Sequence, residues 1–162
     1  MNRAKKAFPA ALLALAMLLA LLAACGGAAK EVPVADIVSA VDQALNKGDS
    51  LVSIDPSYIK GYMKMDVSDY ADYTVKINAY GANVDEYGIF QAKDSAQAKA
   101  IKEAVDGYLK LRLDAWMDEY MPEEKPKLTG AEVKTSGNYV MYAILSESDK
   151  ALAFDAFNGA LK

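Results

Sequence analysis

The chain has 162 residues, of which 22 are acidic and 18 basic, and it contains one cysteine and no histidine. A single cysteine excludes an intrachain disulfide. The lack of histidine excludes Ser-His-Asp and Cys-His centres, and it excludes zinc sites built on histidine. The formal charge of −4 opposes binding to nucleic acid, because phosphate contacts need an excess of basic side chains.

The first 24 residues have the pattern of a secretory signal peptide. Arg3, Lys5 and Lys6 precede an uncharged apolar stretch over residues 7–24, which ends in small side chains. Removal of this segment would take away three bases and no acid, so the formal charge would become −7. The remaining 138 residues are enough for one domain with a hydrophobic core.

Residues 22–26 read Leu-Ala-Ala-Cys-Gly and resemble a lipobox, in which Cys25 receives a diacylglyceryl anchor. Two acyl chains hold a protein on a bilayer far better than one. Residues 25–33 are short and small-sided, which is typical of a tether. The alternative is a membrane-spanning helix, but Pro9 interrupts the apolar run and the run ends at the lipobox. We therefore expect a membrane anchor at Cys25 and an extracytoplasmic domain at the outer face of the cell membrane.

The first half of the remaining chain changes from helical to strand periodicity. Apolar side chains at helical spacing predict a helix over residues 34–46. Asp-Pro-Ser at 55–57 predicts a turn or a short helix. From Tyr73 the period is two, and residues 73–80 and 86–93 are predicted to form a hairpin.

A long helix is predicted to follow this hairpin. Asp94 and Gln97 have the spacing of a capping box, and the helix is expected to run to about Tyr120, just before Pro122. Arg112 lies within the apolar stripe of this helix, where a guanidinium needs a carboxylate partner or must extend to the surface. Arg112 is therefore a candidate for an ion pair or a pocket.

The last third of the chain predicts a second hairpin and a closing helix. Residues 131–136 and 139–146 flank Gly137-Asn138, a hairpin turn signal, and the second of these strands is apolar on both faces. Residues 146–149 then begin the final helix. We expect residues 34–162 to form a single α+β domain, with a four-stranded, mainly antiparallel sheet and about three helices.

Several segments resemble a known family when they are taken together with the lipobox. They are Met-Asp-Val-Ser-Asp-Tyr-Ala-Asp-Tyr at 65–73, Asn-Val-Asp-Glu-Tyr-Gly-Ile-Phe at 83–90 leading into residues 93–95, and Ser-Gly-Asn-Tyr-Val-Met at 136–141. They are similar to lipoproteins of monoderm bacteria grouped as domain of unknown function 4358. The resemblance implies an extracytoplasmic location and one α+β domain, and it brings no catalytic residues and no cofactor.

The acidic residues offer two candidate chemistries. Asp66, Asp69 and Asp72 are spaced by three and lack the glycine turn of a calcium loop, so capping and surface charge explain them better than a metal site. A pair of acids in a cleft would be needed to hydrolyse a glycan, and spacing along the chain does not establish such a pair. The acids available for that reaction include Glu86, Asp114, Asp118, Glu119, Glu123 and Glu124.

Ten tyrosines are the most unusual feature of the composition. Aromatic side chains fill sheet interiors, and they also bind sugars and peptides in grooves. Four of the tyrosines fall on predicted strands, where a core role is favoured: Tyr73, Tyr87, Tyr139 and Tyr142. The sequence predicts no metal, no cofactor and no catalytic set. It favours a non-enzymatic module that binds an envelope protein or a cell-wall ligand, with a carboxylate-dependent wall hydrolase as the alternative.

Overall fold

A five-stranded antiparallel sheet forms the centre of the computed structural model, which describes residues 31–80, 83–117 and 119–162. The strands lie in the order β1-β2-β3-β5-β4. Their bounds are β1 Leu51–Ser53, β2 Asp72–Asn78, β3 Glu86–Gln91, β4 Glu132–Ser136 and β5 Tyr139–Ile144. The helices are α1 Val34–Leu45, α2 Pro56–Tyr62, α3 Ser95–Asp114, α4 Lys125–Thr129 and α5 Glu147–Ala160. The predicted signal peptide at residues 1–24 and the predicted lipid attachment site at Cys25 lie outside the described residues.

Helices cover both faces of the sheet, because the inner strands β3 and β5 are apolar on both sides. Tyr87 and Ile89 of β3 pack in one core cluster with α1 and α5. Phe90 of the same strand packs in a second cluster with α2, α3 and α4. Among the described residues, the buried members of the two clusters lie between Val32 and Phe157.

The α+β class and the antiparallel pairing are confirmed, but the expected number of strands was wrong. The sheet has five strands because β1 pairs with the end of β2, with Leu51 opposite Asn78 and Ser53 opposite Lys76. Three residues are too few for an alternating pattern to be recognised in the sequence. The last strand is apolar on both faces because it lies inside the sheet, with β5 between β3 and β4.

The described chain also has five helices rather than about three. The two additional helices, α2 and α4, have seven and five residues, and each has proline in its first turn. Of the two alternatives predicted at residues 55–57, a turn or a short helix, α2 is the short helix. Segments of this length show no reliable helical period, and they depend on capping and tertiary packing. At α2 the Asp55 carboxylate accepts hydrogen bonds from the backbone N–H groups of Ser57 (2.8 Å) and Tyr58 (3.0 Å).

The predicted start of α3 is confirmed, whereas its predicted end is wrong. The Asp94 carboxylate accepts a hydrogen bond from the backbone N–H of Gln97 at 2.7 Å. The helix ends at Asp114 rather than near Tyr120. Its buried stripe stops at Tyr108, and the later apolar residues Leu111, Leu113 and Met117 are exposed. Leu109 and Trp116 pack against the core but are only partly buried, so further helical turns would gain little core contact.

Tyr139 fixes the point at which the chain enters the domain. Its hydroxyl accepts a hydrogen bond from the backbone N–H of Val32 and donates one to the Val32 carbonyl, both at 2.8 Å and both buried. Val32 is 8% exposed although it falls in the predicted tether. Tyr139 pairs with Gln91 at one end of β3, and Ile144 pairs with Glu86 at the other end. None of the helices in the described residues has the length and apolar character needed to span a bilayer.

Candidate binding cleft

A cleft of about 140 Å³ lies at the end of the sheet where β2 finishes and β3 begins. Three elements meet there: the start of β3, the end of α2 and the last turn of α3. Its polar lining is Asn78, Asn83, Asp85, Glu86 and Arg112, and Tyr62 completes one wall. The cleft therefore brings the candidate residue Arg112 together with one of the acids considered in the sequence.

Glu86 and Arg112 form an ion pair in the wall of this cleft. Arg112 Nη1 donates a hydrogen bond to Glu86 Oε2 at 2.7 Å and another to the Tyr108 hydroxyl at 2.9 Å. The Tyr108 and Tyr142 hydroxyls both donate to Glu86 Oε1, at 2.6 and 2.5 Å. Glu86 is only 2% exposed, so these three donors replace the water that an ionised carboxylate would otherwise bind.

The buried position of this pair changes the acidity of its members. Burial raises the pKa of Glu86 above its ordinary value, although Arg112 and the two hydroxyls act in the opposite direction. Burial and the neighbouring Glu86 carboxylate raise the pKa values of Tyr108 and Tyr142 well above the ordinary value. Burial lowers the pKa of Arg112, but Glu86 outweighs that effect and the net direction is upward. The tyrosines therefore remain protonated donors at neutral pH, and Arg112 remains charged.

Tyr62 covers the guanidinium of Arg112 from the solvent side. The Arg112 Cζ atom lies 5.2 Å from the centroid of the Tyr62 ring, which is a cation–π distance. Tyr58, one helical turn earlier on α2, lies 5.2 Å from Tyr62 between ring centroids. Tyr58 is 43% exposed and Tyr62 is 36% exposed. We call these two residues the tyrosine ledge.

A shallow depression lies along the tyrosine ledge. It has a volume of about 440 Å³, and it is lined by Asp55, Ser57 and Gly61 together with Tyr58 and Tyr62. Tyr62 borders both the cleft and the depression. Tyr62 is therefore the residue that the two concavities share.

Asp85 is the centre of a second group of charges beside Glu86. Its carboxylate lies 2.8 Å from the ammonium groups of both Lys47 and Lys127. Lys47 also contacts Asp149 at 2.9 Å, and Lys127 contacts Glu124 at 2.9 Å. Burial raises the pKa of Asp85, but the two lysines lower it by more, so the net direction is downward. Each lysine therefore has carboxylate partners within the domain.

The other acids considered for catalysis lie elsewhere. Asp114 pairs with Lys110 at 2.5 Å on the surface of α3, Glu124 pairs with Lys127, and Glu119 and Glu123 are exposed. Asp118 lies outside the described residues. Of the acids named in the sequence analysis as candidates for catalysis, Glu86 is the one found in the cleft lining.

The three aspartates considered for calcium serve separate roles. Asp66 caps a 3₁₀ turn through the backbone N–H of Ser68, Asp69 pairs with Lys93, and the Asp72 carboxylate accepts the N–H of Tyr73. In the part of the chain that the structure describes, no group of three or more acids or cysteines is placed to hold a metal ion. Capping and surface pairing thus account for this part of the sequence.

The strand tyrosines are mainly core residues. Tyr87, Tyr139 and Tyr142 are buried, and Tyr73 is half-buried. Sequence reasoning did not single out Asp85 or Tyr62 as functional residues, because their roles depend on partners from distant elements. A usable signal was present for Glu86. Glu86 and Phe90 are four residues apart on the same strand, so their side chains lie on the same face of the sheet. A carboxylate on a buried face requires a cationic partner such as Arg112.

Comparison with protein families identifies the fold family of the chain. The family model described as Domain of unknown function (DUF4358) matches residues 37–145. The chain belongs to this family. The matched region includes all five strands and every residue that lines the cleft, whereas α5 lies beyond it. The family resemblance seen in the sequence is therefore confirmed. Neither a curated protein nor a solved structure matches the chain.

Proposed function

We propose that this DUF4358 member is a lipoprotein anchored through Cys25 at the outer face of the cell membrane. Its domain is a non-enzymatic binding module, and the cleft at the β2–β3 end of the sheet is its ligand site. The lipobox at residues 22–26 supports the anchor. The cleft supports the binding role, because polar groups from three elements converge in one concave surface.

The observation that carries the binding role is the immobilised guanidinium of Arg112. Among the described residues, both hydrogen bonds of the guanidinium come from Nη1, which leaves Nη2 and Nε as donors. The side chain is 17% exposed, and it is held in place by Glu86 and Tyr62. A donor that is already ordered loses little conformational entropy when a ligand binds.

Glycan hydrolysis is the second candidate, because Asp85 and Glu86 both line the cleft and their pKa values shift in opposite directions. Opposite shifts of two carboxyls are typical of glycosidase acid and base pairs. However, both Glu86 oxygens accept hydrogen bonds from tyrosine or arginine, and Asp85 contacts two lysines. Groups occupied in this way have a structural explanation, so binding is the better proposal.

The anchor is tested by mass spectrometry of the protein purified from its native membrane. We expect the amino terminus to be Cys25 with acyl groups attached. A Cys25→Ala variant should lose both the lipid and the membrane association. An unmodified sulfur with residues 1–24 still present would contradict the proposed anchor.

The binding role is tested with the segment 26–162, which contains the compact unit of residues 31–162 and both described core clusters, and with solubilised cell-wall fragments. We expect the domain to retain a fragment without changing it. Turnover that disappears in Glu86→Gln while circular dichroism shows this variant still folded, and that persists in the surface variant Glu103→Gln, would favour the hydrolase instead. Glu103 is a matched control because it pairs with Lys99 on the exposed side of α3, at 3.9 Å.

A further inference from the structure

We propose that the cleft and the tyrosine ledge bind an uncharged saccharide chain. The inference deepens the proposed function and rests on it, because it names the ligand class of the same site. Three properties of the described residues support it: the charge balance of the cleft, its hydrogen-bonding groups and the exposed aromatic faces beside it.

The charges in the cleft are compensated within the protein. Arg112 pairs with Glu86, and Asp85 pairs with Lys47 and Lys127. An anionic ligand would compete with the internal carboxylates for these cations, and a cationic ligand would compete with the lysines for Asp85. Replacing one partner of a buried ion pair is costly. The balance therefore favours a ligand without charge.

The remaining polar groups of the cleft are suited to hydroxyl groups. Asn78 and Asn83 line the cleft, and a side-chain amide both donates and accepts hydrogen bonds. Asn78 Nδ2 donates to the backbone carbonyls of Tyr80 and Asn83. Asn83 Oδ1 accepts the backbone N–H of Asp85 at 2.7 Å and a hydrogen bond from Lys127 Nζ at 3.4 Å, so both amides have a fixed orientation. Among the described residues, these bonds leave Asn78 Oδ1, Asn83 Nδ2 and the Nη2 and Nε groups of Arg112 as ordered partners for a polyhydroxylated ligand.

The tyrosine ledge supplies the apolar part of the site. A sugar ring has an apolar face of C–H groups, and aromatic rings present flat apolar faces with a polar edge. Tyr58 and Tyr62 are partly exposed and one helical turn apart on α2. The depression beside them adjoins the cleft at Tyr62. This arrangement fits a linear ligand with one unit in the cleft and further units along the ledge.

A peptide strand fits the same place less well. Peptides that extend a sheet need an unpaired strand edge. At the cleft end of β2, Ile77 pairs with Val52 on one side and with Glu86 on the other. The backbone of β2 is therefore occupied at this end of the sheet, and the lining of the cleft is mainly polar side chains.

The inference is tested by titrating the segment 26–162 with the uncharged tetramer of N-acetylglucosamine and recording amide chemical shifts by NMR. We expect saturable shifts at the ends of α2 and β2. Tyr58→Ala should weaken binding by about tenfold, the usual effect of removing a central aromatic contact. Tyr58→Trp, which keeps a flat aromatic face, should retain binding. Leu152→Ala removes an exposed apolar side chain from α5, on the other face of the sheet, and should bind like the wild type.

Three results would overturn the inference, and the first two differ in what they mean for the proposed function. If the tetramer does not bind while wall-derived peptide or envelope protein does, the saccharide assignment is wrong and the binding module stands. If no wall or envelope fraction binds, both proposals fail. If Tyr58→Ala binds the tetramer as tightly as the wild type, the tyrosine ledge is not part of the binding site and the inference is wrong.

Discussion

Arg112 Nη1 lies 2.7 Å from Glu86 Oε2, although the two residues are 26 positions apart in the chain. Glu86 is the first residue of β3, and Arg112 lies in the last turn of α3. The ion pair therefore joins the central strand to the far end of the longest described helix. It fixes the position of α3 over the sheet, and it also forms part of the cleft wall.

Loss of the Glu86 charge should destabilise the domain. Glu86→Gln leaves Arg112 largely buried without its carboxylate, which we expect to lower the free energy of unfolding by about 3 kcal/mol. Urea denaturation at neutral pH measures this change. Glu103→Gln breaks an exposed ion pair on α3, the helix that carries Arg112, and should lower the free energy of unfolding by less than about 0.5 kcal/mol. Equal effects of the two substitutions would show that the Glu86 pair does not stabilise the fold.

The Asp85 group should make stability depend on pH at both extremes. The pKa of Asp85 is lowered from 3.8, so its contribution is complete above pH 3.8 and is lost as the pH falls through the folded value. The pKa values of Lys47 and Lys127 are raised from 10.5, so their contribution is complete below pH 10.5 and is lost as the pH rises. Urea denaturation across the pH range should show both losses. Asp85→Asn should reduce the loss of stability at low pH. If the variant loses as much stability at low pH as the wild type, the loss does not come from protonation of Asp85.

Gly88 should not tolerate a side chain. A Cβ atom at this position would overlap the ring of Tyr142 and approach Val75 Cγ2 at 3.1 Å. We expect Gly88→Ala to lower the free energy of unfolding by about 1–3 kcal/mol through overpacking. It should also displace the Tyr142 hydroxyl, which donates a hydrogen bond to Glu86. Thermal unfolding measures the cost.

Gly107 provides the matched comparison for this substitution. It lies within α3, and a Cβ atom there would meet nothing within 4 Å. Gly107→Ala should therefore stabilise the protein by about 0.5–1 kcal/mol, because alanine is the better helix former. A similar loss of stability in both variants would argue against the packing of Tyr142 over Gly88.

Removal of the Tyr139 hydroxyl should loosen the start of the domain. Tyr139→Phe leaves the buried N–H and carbonyl of Val32 without their partner, at a cost of about 1–3 kcal/mol. Hydrogen exchange of the Val32 amide should become faster than in the wild type. Tyr120→Phe, at an exposed side chain, should leave both the stability and the exchange unchanged.

Much of the fold could be predicted because local signals agree with the final packing. The alternating residues of β2 and the two apolar faces of β5 predicted strands, and the Asp94 cap predicted the start of α3. The signals failed where tertiary contacts decide the outcome. Strand β1 has three residues and depends on pairing with β2. The predicted later turns of α3 have helical spacing, but Leu111, Leu113 and Met117 are exposed and give these turns little core contact.

The cleft was only partly predictable for the same reason. Arg112 was identifiable because a charged residue interrupted an apolar stripe. The burial of Asp85 depends on Lys47 and Lys127, which precede and follow it by about forty residues. Tyr62 becomes part of the cleft because α2 packs beside α3. No local pattern in the sequence contains these three-dimensional relationships.

The hydrogen bonds between Val32 and Tyr139 lie at the opposite end of β3 from the cleft. Val32 is held at the Gln91 end, whereas the cleft is at the Glu86 end, about 17 Å away along the strand. Between these two points β3 is paired along its whole length with β2 and β5. Loosening of the first described residues should therefore leave the ion pair of Glu86 and Arg112 in place.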